Sequence, residues 1–117
     1  MRDDGERILD MLEAIERIQR HAEKGREAFE KDELLQTWVV HHLQIIGEAA
    51  SKLSEEFRDT HREIAWPQIV AMRNVIAHEY FGIDLDTVWQ VVERDLPELK
   101  QKLNTIHQAL RSQGKHD

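Results

Sequence analysis

Apolar side chains recur at intervals of three and four residues along most of the 117-residue chain, which is the repeat of an amphipathic α-helix. The first apolar stripe contains Ile8, Ile15 and Ile18 and predicts a helix over about residues 3–24. Gly25 is the predicted stop, since glycine readily adopts the backbone conformation that follows a helix. The same repeat continues through the rest of the chain, so the pattern favours helices throughout.

A second stripe predicts a helix over about residues 32–53, and Asp32 is a suitable N-cap for it. Within this helix, the small residues Gly47 and Ala49 would let another helix approach closely. The following segment, residues 54–64, is polar and highly charged and is interpreted as a loop or short turn. Two long helices are thus separated from the rest of the chain by a polar connection.

Proline and aspartate residues predict where the later helices begin. Pro67 suits the first turn of a third helix, over about residues 67–80, because a helix does not need the N–H of its first residues. Asp84 or Asp86 would cap a fourth helix. Pro97 should kink that helix or begin a fifth, since it removes a helix hydrogen bond.

These elements predict an all-α fold, an antiparallel bundle of four to five helices. The length is typical of one domain, so residues 1–117 are expected to form a single helical domain. Residues 112–117 are expected to form a frayed tail. No internal repeat or linker divides the chain.

Composition narrows the setting of the protein. With no cysteine, the chain has neither a disulfide scaffold nor a catalytic thiol, and no apolar run approaches the ~20 residues that span a bilayer. The first four residues are too acidic and polar for a signal peptide, so we expect a cytoplasmic protein without membrane association. The net charge of −7 argues against broad nucleic-acid binding, although residues 100–117 hold four Lys/Arg against one acid.

Residues 73–80 carry the strongest chemical signal, in the order Arg-Asn-Val-Ile-Ala-His-Glu-Tyr. Arg73 can hold the oxygens of a phosphodiester through paired hydrogen bonds. His78 can move a proton near neutral pH. Asn74 and Tyr80 add a carboxamide and a phenol, so this stretch is the candidate site for chemistry on a phosphodiester.

Helical geometry does not bring all four groups together in one copy of the chain. At about 100° per residue, Arg73 and Tyr80 nearly eclipse each other, whereas His78 lies about 140° around the helix from Arg73. Either the helix loosens before His78, or two copies meet and each completes the other's site; we prefer the second geometry, a homodimer. The simpler alternative is a surface ion pair, an interfacial histidine and a tyrosine at the edge of the bundle.

The spacing of these residues resembles the R-N-x-x-x-H-x-Y signature of HEPN-domain ribonucleases, and in particular that of the HepT-like toxins. Other landmarks are similar to the same family and occur in the same order. They are Ile46-Gly47-Glu48-Ala49-Ala50, Ile64-Ala65-Trp66-Pro67-Gln68-Ile69, Met72-Arg73-Asn74, Tyr80-Phe81-Gly82-Ile83-Asp84 and the stretch from Val88-Trp89 through Asp95-Leu96-Pro97. The resemblance covers about residues 40–100 and implies the HEPN-type helical bundle and its homodimer.

The resemblance implies a metal-independent endoribonuclease that needs no cofactor and whose cleft is formed by two protomers. The ribose 2′-OH would attack the adjacent phosphorus and give a 2′,3′-cyclic phosphate, so RNA and not DNA is the implied substrate. In this pattern His78 is the acid or base, Arg73 neutralises charge on the phosphoryl oxygens, and Asn74 orients the substrate or His78. Glu48 is a candidate supporting residue, which could orient Arg73 or His78 or form a structural ion pair.

The resemblance also implies a partner and a modification. HepT-like toxins are paired with a nucleotidyltransferase-fold antitoxin in a type VII-like toxin–antitoxin system, and AMP addition (AMPylation) of the motif tyrosine, here Tyr80, is the implied means of neutralisation. AMP beside Arg73 would block the cleft through its bulk and its negative charge. Two alternatives stay open, namely a non-catalytic helical subunit that binds nucleotide for a nucleotidyltransferase and a dimerising adaptor.

Three tryptophans and two adjacent histidines have simpler interpretations. Trp38, Trp66 and Trp89 are expected to be packing anchors rather than stacking platforms for bases. His41 and His42 point about 100° apart on a helix, and no further ligands are identifiable in the sequence, so no metal site is predicted. His42 is expected at a seam between two helices.

Overall fold

The computed structural model describes residues 3–77 and 84–114 of the chain, and the side chains of residues 3–73 and 84–113. Over these residues the protein is all-α, as predicted, and contains no strand. The helices are α1 (Asp4–Ala22), α2 (Arg26–Lys31), α3 (Glu33–Ser51), α4 (Glu55–Thr60), α5 (Trp66–Ala77), α6 (Leu85–Gln90) and α7 (Leu96–Gly114). None of these described helices is long and apolar enough to cross a membrane.

Five of these seven helices correspond to predicted elements, namely α1, α3, α5, α6 and α7. The predicted number of four to five helices was too low because α2 and α4 have only six residues each. A helix of that length cannot repeat an apolar stripe, and each of the two buries a single phenylalanine, Phe29 in α2 and Phe57 in α4. The interpretation of residues 54–64 as a loop was therefore wrong for Glu55–Thr60.

Side-chain caps begin α3 and α6 at predicted positions. Asp32 accepts a hydrogen bond from the N–H of Leu35 (3.2 Å) at the start of α3. Asp84, rather than Asp86, caps α6 by accepting from the N–H of Thr87 (3.2 Å). A cap of this kind contributes about 1 kcal/mol, because it satisfies a backbone donor that has no partner within the helix.

The long helices α1 and α3 pack against each other in opposite directions. At the start of α1, the carboxylate of Asp4 accepts hydrogen bonds from the N–H and the hydroxyl of Ser54 (2.9 and 2.7 Å), which lies just beyond the end of α3. Towards the other end, Trp38 Nε1 donates to the carbonyl of Arg17 (3.3 Å). The core side chains with no exposed surface are Ile8, Met11, Ile15, Ile18, Phe29, Val39, Ile46, Ala50, Leu96 and Leu103.

Helices α3 and α5 approach each other closely at Gly47, as the small residue predicted. A Cβ atom at this position would lie 2.9 Å from the backbone nitrogen of Arg73 and 3.2 Å from the carbonyl oxygen of Ile69. Since close-packed interiors have no room to absorb such an overlap, a larger residue would push the two helices apart. Gly47 thereby sets the position of Arg73 relative to α3.

A π-helical turn, Val91–Asp95, joins α6 to α7. The N–H of Leu96 bonds to the carbonyl of Val91, five residues earlier, and Pro97 follows in the first turn of α7. The backbone stays helical at Gln90, Val91 and Leu96, so it is the wider π turn that accommodates the missing N–H of proline. Pro97 lies at the start of α7, the last helix, which is one of the two predicted outcomes.

The C-terminal helix is longer than predicted. It runs to Gly114, so residues 112–114 are helical where we expected a frayed tail. Ile106 is the last buried side chain of α7. Beyond it the helix can still extend, because each residue added to a formed helix gains one backbone hydrogen bond and no new nucleation is needed. The remainder of the predicted tail, residues 115–117, lies outside the described residues.

Candidate functional site

Arg73 lies on α5 and is held from α3. Its Nη1 donates hydrogen bonds to Oε2 of Glu48 (2.9 Å) and to the hydroxyl of Ser51 (3.0 Å). The Ser51 hydroxyl donates in turn to the carbonyl of Glu48 (2.7 Å), which leaves its lone pairs available to the guanidinium. The Arg73 side chain is still 37% exposed, so among the described contacts it is anchored through one nitrogen while its exposed surface can bind a ligand.

Glu48 links Arg73 to a second cation. Hydrogen bonds from Arg73 and then from Lys52 hold the pKa of Glu48 below its ordinary value of 4.5. Arg73 binds Oε2, whereas Lys52 Nζ lies 3.3 Å from Oε1, so each carboxylate oxygen faces one cation. The carboxylate is therefore ionised at neutral pH, and Glu48 forms an ion pair with Arg73, which is one of the alternatives considered for it in the sequence.

The other predicted site residues lie at or beyond the limit of the described side chains. Asn74 follows Arg73 on α5, but its side chain is not among those described. His78 and Tyr80 lie outside the described residues altogether. The backbone of α5 is helical through Ala77, so it does not loosen between Arg73 and that residue. The roles assigned to Asn74, His78 and Tyr80 stay predictions.

A groove of about 730 Å³ lies between α1 and α3 and includes Arg73; we call it the α1–α3 groove. Its lining residues are Arg7, Asp10, Glu13, Ala14, Arg17, His41, His42, Gln44, Ile45, Glu48, Ala49 and Arg73. Three arginines balance three carboxylates in this set. The groove therefore has no strong positive potential, so charge alone would not make it bind polyanions tightly.

The residues that line the groove form a stripe on each helix, and most of them come one position before a buried core residue. On α1, Arg7, Asp10 and Arg17 each precede a buried residue, and on α3 His41 and Glu48 do the same. Sequence reasoning found the core stripes but missed the α1 residues, because charged residues on a helix usually form a solvated face. The signal that could have found them is their own three- and four-residue repeat, parallel to the apolar one.

The tryptophans and the two adjacent histidines include both buried and exposed side chains. Trp66 and Trp89 are buried (4% and 7% exposed) and are packing anchors as predicted, but Trp38 is 37% exposed and departs from that prediction. His42 is buried on α3, which packs against α1, as expected for a seam between two helices, and its Nδ1 lies 2.8 Å from the carbonyl of Trp38 in the same helix. His41 is exposed, and no group of three His, Cys, Asp or Glu side chains in the described part of the chain could hold a metal ion.

The fold and the groove define a small all-α domain with an anchored, partly exposed arginine at a groove. The family model Ribonuclease HepT-like matches residues 11–106 of this chain. The chain therefore belongs to the HepT-like ribonuclease family, the family that the motif at residues 73–80 resembles. Membership classes the protein as a ribonuclease, and the family implies RNA as the substrate.

Individual relatives agree with this family. The chain is 37% identical over 101 residues to a Methanocaldococcus jannaschii protein named as a gamma-glutamylcyclotransferase and candidate RNase, covering 86% of this chain but only 46% of that protein. It is 39% identical over 82 residues to a candidate RNase of Caldanaerobacter subterraneus, covering 70% of this chain and 73% of the relative.

A third relative is named directly for the family. The chain is 37% identical over 100 residues to the probable ribonuclease HepT of Thermococcus cleftensis, covering 85% of this chain and 91% of the relative. The chain thus spans about half of the M. jannaschii protein and most of the T. cleftensis one. No solved structure matches the chain.

Proposed function

We propose that the protein is a metal-independent endoribonuclease that acts as the toxin of a type VII-like toxin–antitoxin pair. The observation that carries the proposal is the placement of Arg73, which this HepT-like chain holds at a groove through Glu48 and Ser51. The family and the name of the T. cleftensis relative support RNA as the substrate.

The proposed reaction breaks one phosphoester bond of the RNA backbone and forms another. The ribose 2′-oxygen attacks the adjacent phosphorus, and the bond to the 5′-oxygen of the next nucleotide breaks. The products are a 2′,3′-cyclic phosphate and a 5′-hydroxyl, so the proton of the 2′-OH is balanced by the one that the leaving oxygen gains. His78 moves a proton as base or acid, and Asn74 orients the substrate or His78. DNA lacks the attacking hydroxyl and should resist.

Arg73 stabilises the negative charge that develops on the non-bridging phosphoryl oxygens. Its Nη1 is already fixed by two acceptors, so little side-chain freedom is lost when a phosphate binds its other N–H groups. The ionised Glu48 partly neutralises the guanidinium, and Lys52 on the other carboxylate oxygen offsets that effect. Glu48 therefore acts as a positioning residue for Arg73.

A site shared between two protomers would resolve the separation of Arg73 and His78. The helical backbone of α5 through Ala77 supports this geometry, because it maintains the angular separation along the described part of the motif. In a mixed dimer of Arg73→Ala and His78→Ala chains, one of the two shared sites would contain both groups. Mixing the two inactive variants should then restore part of the activity, whereas a site within one protomer would give no recovery.

The proposed inhibitory modification is AMP transfer to Tyr80 by a nucleotidyltransferase-fold antitoxin. The phenol oxygen attacks the α-phosphorus of ATP and loses its proton to solvent, the bond to the β-phosphate oxygen breaks, and pyrophosphate leaves. The added phosphodiester would exclude an RNA phosphate from Arg73 through its bulk and charge. Intact-mass analysis after incubation with the partner and ATP should show the AMP adduct in the wild type and none in Tyr80→Phe.

Cleavage of RNA by the purified protein in EDTA tests the ribonuclease proposal. Arg73→Ala and His78→Ala should each lower cleavage at least about 100-fold, the loss expected for a charge-stabilising or proton-transferring group. Arg62→Ala is the matched control, because Arg62 is 81% exposed, lies outside the groove and pairs with Asp59. Unchanged cleavage in both site variants would reject the assignment of the reaction to Arg73 and His78. No cleavage by the wild type would favour the alternative, a non-catalytic nucleotide-binding or adaptor subunit of a nucleotidyltransferase.

A further inference from the structure

Trp38 has an open aromatic surface that is fixed by its neighbours. Its Nε1 donates to the carbonyl of Arg17 (3.3 Å), which ties the indole to α1. The His21 ring meets it edge-on at a centroid distance of 5.1 Å, and the His42 ring lies 4.3 Å away. A ring that is held by three neighbours and still exposed loses little freedom when a flat ligand stacks on it.

Trp38 also lies in line with the site at Arg73. Trp38, His41, Ile45 and Glu48 follow each other at three- and four-residue spacing, so they share one side of α3. At 1.5 Å per residue, Trp38 and Glu48 are about 15 Å apart along the helix axis. That distance corresponds to about four stacked nucleotides at ~3.4 Å each. A strand with one phosphate at Arg73 would therefore reach Trp38 within a few nucleotides.

We propose that Trp38 and His41 form a stacking site for the bases of single-stranded RNA, at the end of the α1–α3 groove away from Arg73. The inference rests on the proposed ribonuclease function and specifies its substrate, an unpaired segment of about four or more nucleotides. His41 is exposed, lines the groove and lies one turn from Trp38, so a second base stacks on its imidazole. Arg17 binds the phosphate between them.

The balanced charges of the groove make an aromatic contribution necessary. Arg17 is paired with Glu13 (2.6 Å), and the two side chains are 48% and 60% exposed. Exposed pairs of this kind are weak, so a phosphate can replace the carboxylate at Arg17 with little loss. The electrostatic gain from binding a phosphate at Arg17 is also small, because the carboxylate of Glu13 stays nearby and repels it. Base stacking does not depend on net charge and raises affinity roughly 5- to 150-fold per base.

The surface around Trp38 fits RNA better than it fits a second copy of the chain. Its ring neighbours His21 and His42 and the nearby groove residues Arg17 and His41 are polar or charged, while Leu34, one turn earlier on α3, is an exposed apolar side chain. The centre of a protein–protein interface is depleted in charged residues, whereas aromatic and cationic side chains side by side are typical of single-strand binding. Continuity with the groove that contains Arg73 favours the same ligand at both ends.

Binding of a non-cleavable strand tests the stacking site separately from catalysis. A labelled octanucleotide with 2′-O-methyl groups lacks the attacking hydroxyl, and its Kd is measured by fluorescence anisotropy. Trp38→Ala should weaken binding about 10-fold, while Trp38→Phe, which keeps an aromatic face, should stay within about twofold of the wild type. Leu34→Ala is the matched control, since Leu34 is 83% exposed one turn away on α3, and its Kd should not change.

Cleavage kinetics give a second measurement. A dinucleotide occupies the site at Arg73 but is too short to reach Trp38, so Trp38→Ala should leave its cleavage unchanged. For a cleavable octanucleotide the same variant should raise KM about 10-fold at constant kcat, because stacking is equally strong before and in the transition state.

Three results would overturn the stacking site. The first is a Trp38→Ala variant that binds the strand as tightly as the wild type, and the second is a loss of dinucleotide cleavage in Trp38→Ala equal to its loss with the octanucleotide. The third is a dimeric wild type that becomes a monomer in Trp38→Ala, measured by light scattering, which would assign the surface to a second copy. The two proposals fail separately. If the wild type binds the 2′-O-methyl strand through Trp38 but cleaves no RNA, the ribonuclease proposal fails and the stacking site stands. If the wild type cleaves RNA and Trp38→Ala binds normally, only the stacking site fails.

Discussion

The two faces of α3 consist of adjacent residues that serve different purposes. Val39 and Ile46 have no exposed surface and hold the fold together, whereas one position earlier Trp38 is 37% exposed and Ile45 lines the groove. The two faces differ by one residue, or about 100° around the helix. A stripe beside a core stripe is therefore almost as well fixed as the core itself, which suits it to hold site residues in place.

Adjacent isoleucines allow the most direct comparison of the two faces. Ile46→Ala should lower the free energy of unfolding by about 2–5 kcal/mol, because its side chain is fully buried and its removal leaves a cavity. Ile45→Ala is the same change on the groove face and should cost less, about 1–2 kcal/mol, since that side chain is only partly buried at the edge of the core. Urea denaturation measures both values. Equal losses would contradict the division of α3 into a core face and a groove face.

A substitution at Gly47 should lower the free energy of unfolding less than Ile46→Ala does, but it should lower the rate of RNA cleavage more. Gly47→Ala should destabilise the fold by about 1–3 kcal/mol through overpacking, and it should slow RNA cleavage because Arg73 is displaced from Glu48. Gly5→Ala is the matched control. A Cβ atom there would lie 3.4 Å from its nearest neighbour, Oδ1 of Asp3, and alanine should raise stability by up to about 1 kcal/mol.

Thermal unfolding and RNA cleavage rates, measured on both glycine variants, separate the two outcomes. A Gly47→Ala protein as stable and as active as the wild type would show that α3 and α5 are not in close contact at this point.

The smallest expected effect is a pH dependence at Glu48. Hydrogen bonds from Arg73 first and Lys52 second lower the pKa of Glu48 below 4.5, so its carboxylate stabilises the fold above that pH. The contribution is lost as the pH falls through the lowered pKa. The difference in unfolding free energy between the wild type and Glu48→Gln should therefore shrink on acidification below about pH 4.5. Urea denaturation across that pH range measures it, and a constant difference would contradict the ion pair.

The sequence predicted the fold best where one apolar stripe continues for several turns, as in α1, α3 and α7. The short helices α2 and α4 were missed because each is defined by one buried phenylalanine, Phe29 or Phe57, and a single residue has no period. The close contact at Gly47 was predictable, since small residues in a helix interior are where another helix can approach.

The candidate site was predicted only in part, for a physical reason. Arg73 and Glu48 stand out in their motifs, and they meet because α5 packs on α3. The charged face of α1, with Arg7 and Arg17, is indistinguishable from a solvated face until α3 is placed opposite it. The exposure of Trp38 was equally unpredictable, because buried residues (Leu35, Val39 and His42) and exposed ones (Leu34 and His41) both lie within one turn of it.

Cleavage of a mixed oligonucleotide tests the ribonuclease proposal most directly. The substrate is a DNA octanucleotide with a single ribonucleotide, incubated with the purified protein in EDTA and analysed by mass spectrometry. We predict one cut, on the 3′ side of the ribonucleotide, that leaves a 2′,3′-cyclic phosphate and is absent both from an all-DNA strand and with Arg73→Ala. No cleavage, cleavage of the all-DNA strand, or cleavage that persists in Arg73→Ala would contradict the proposal.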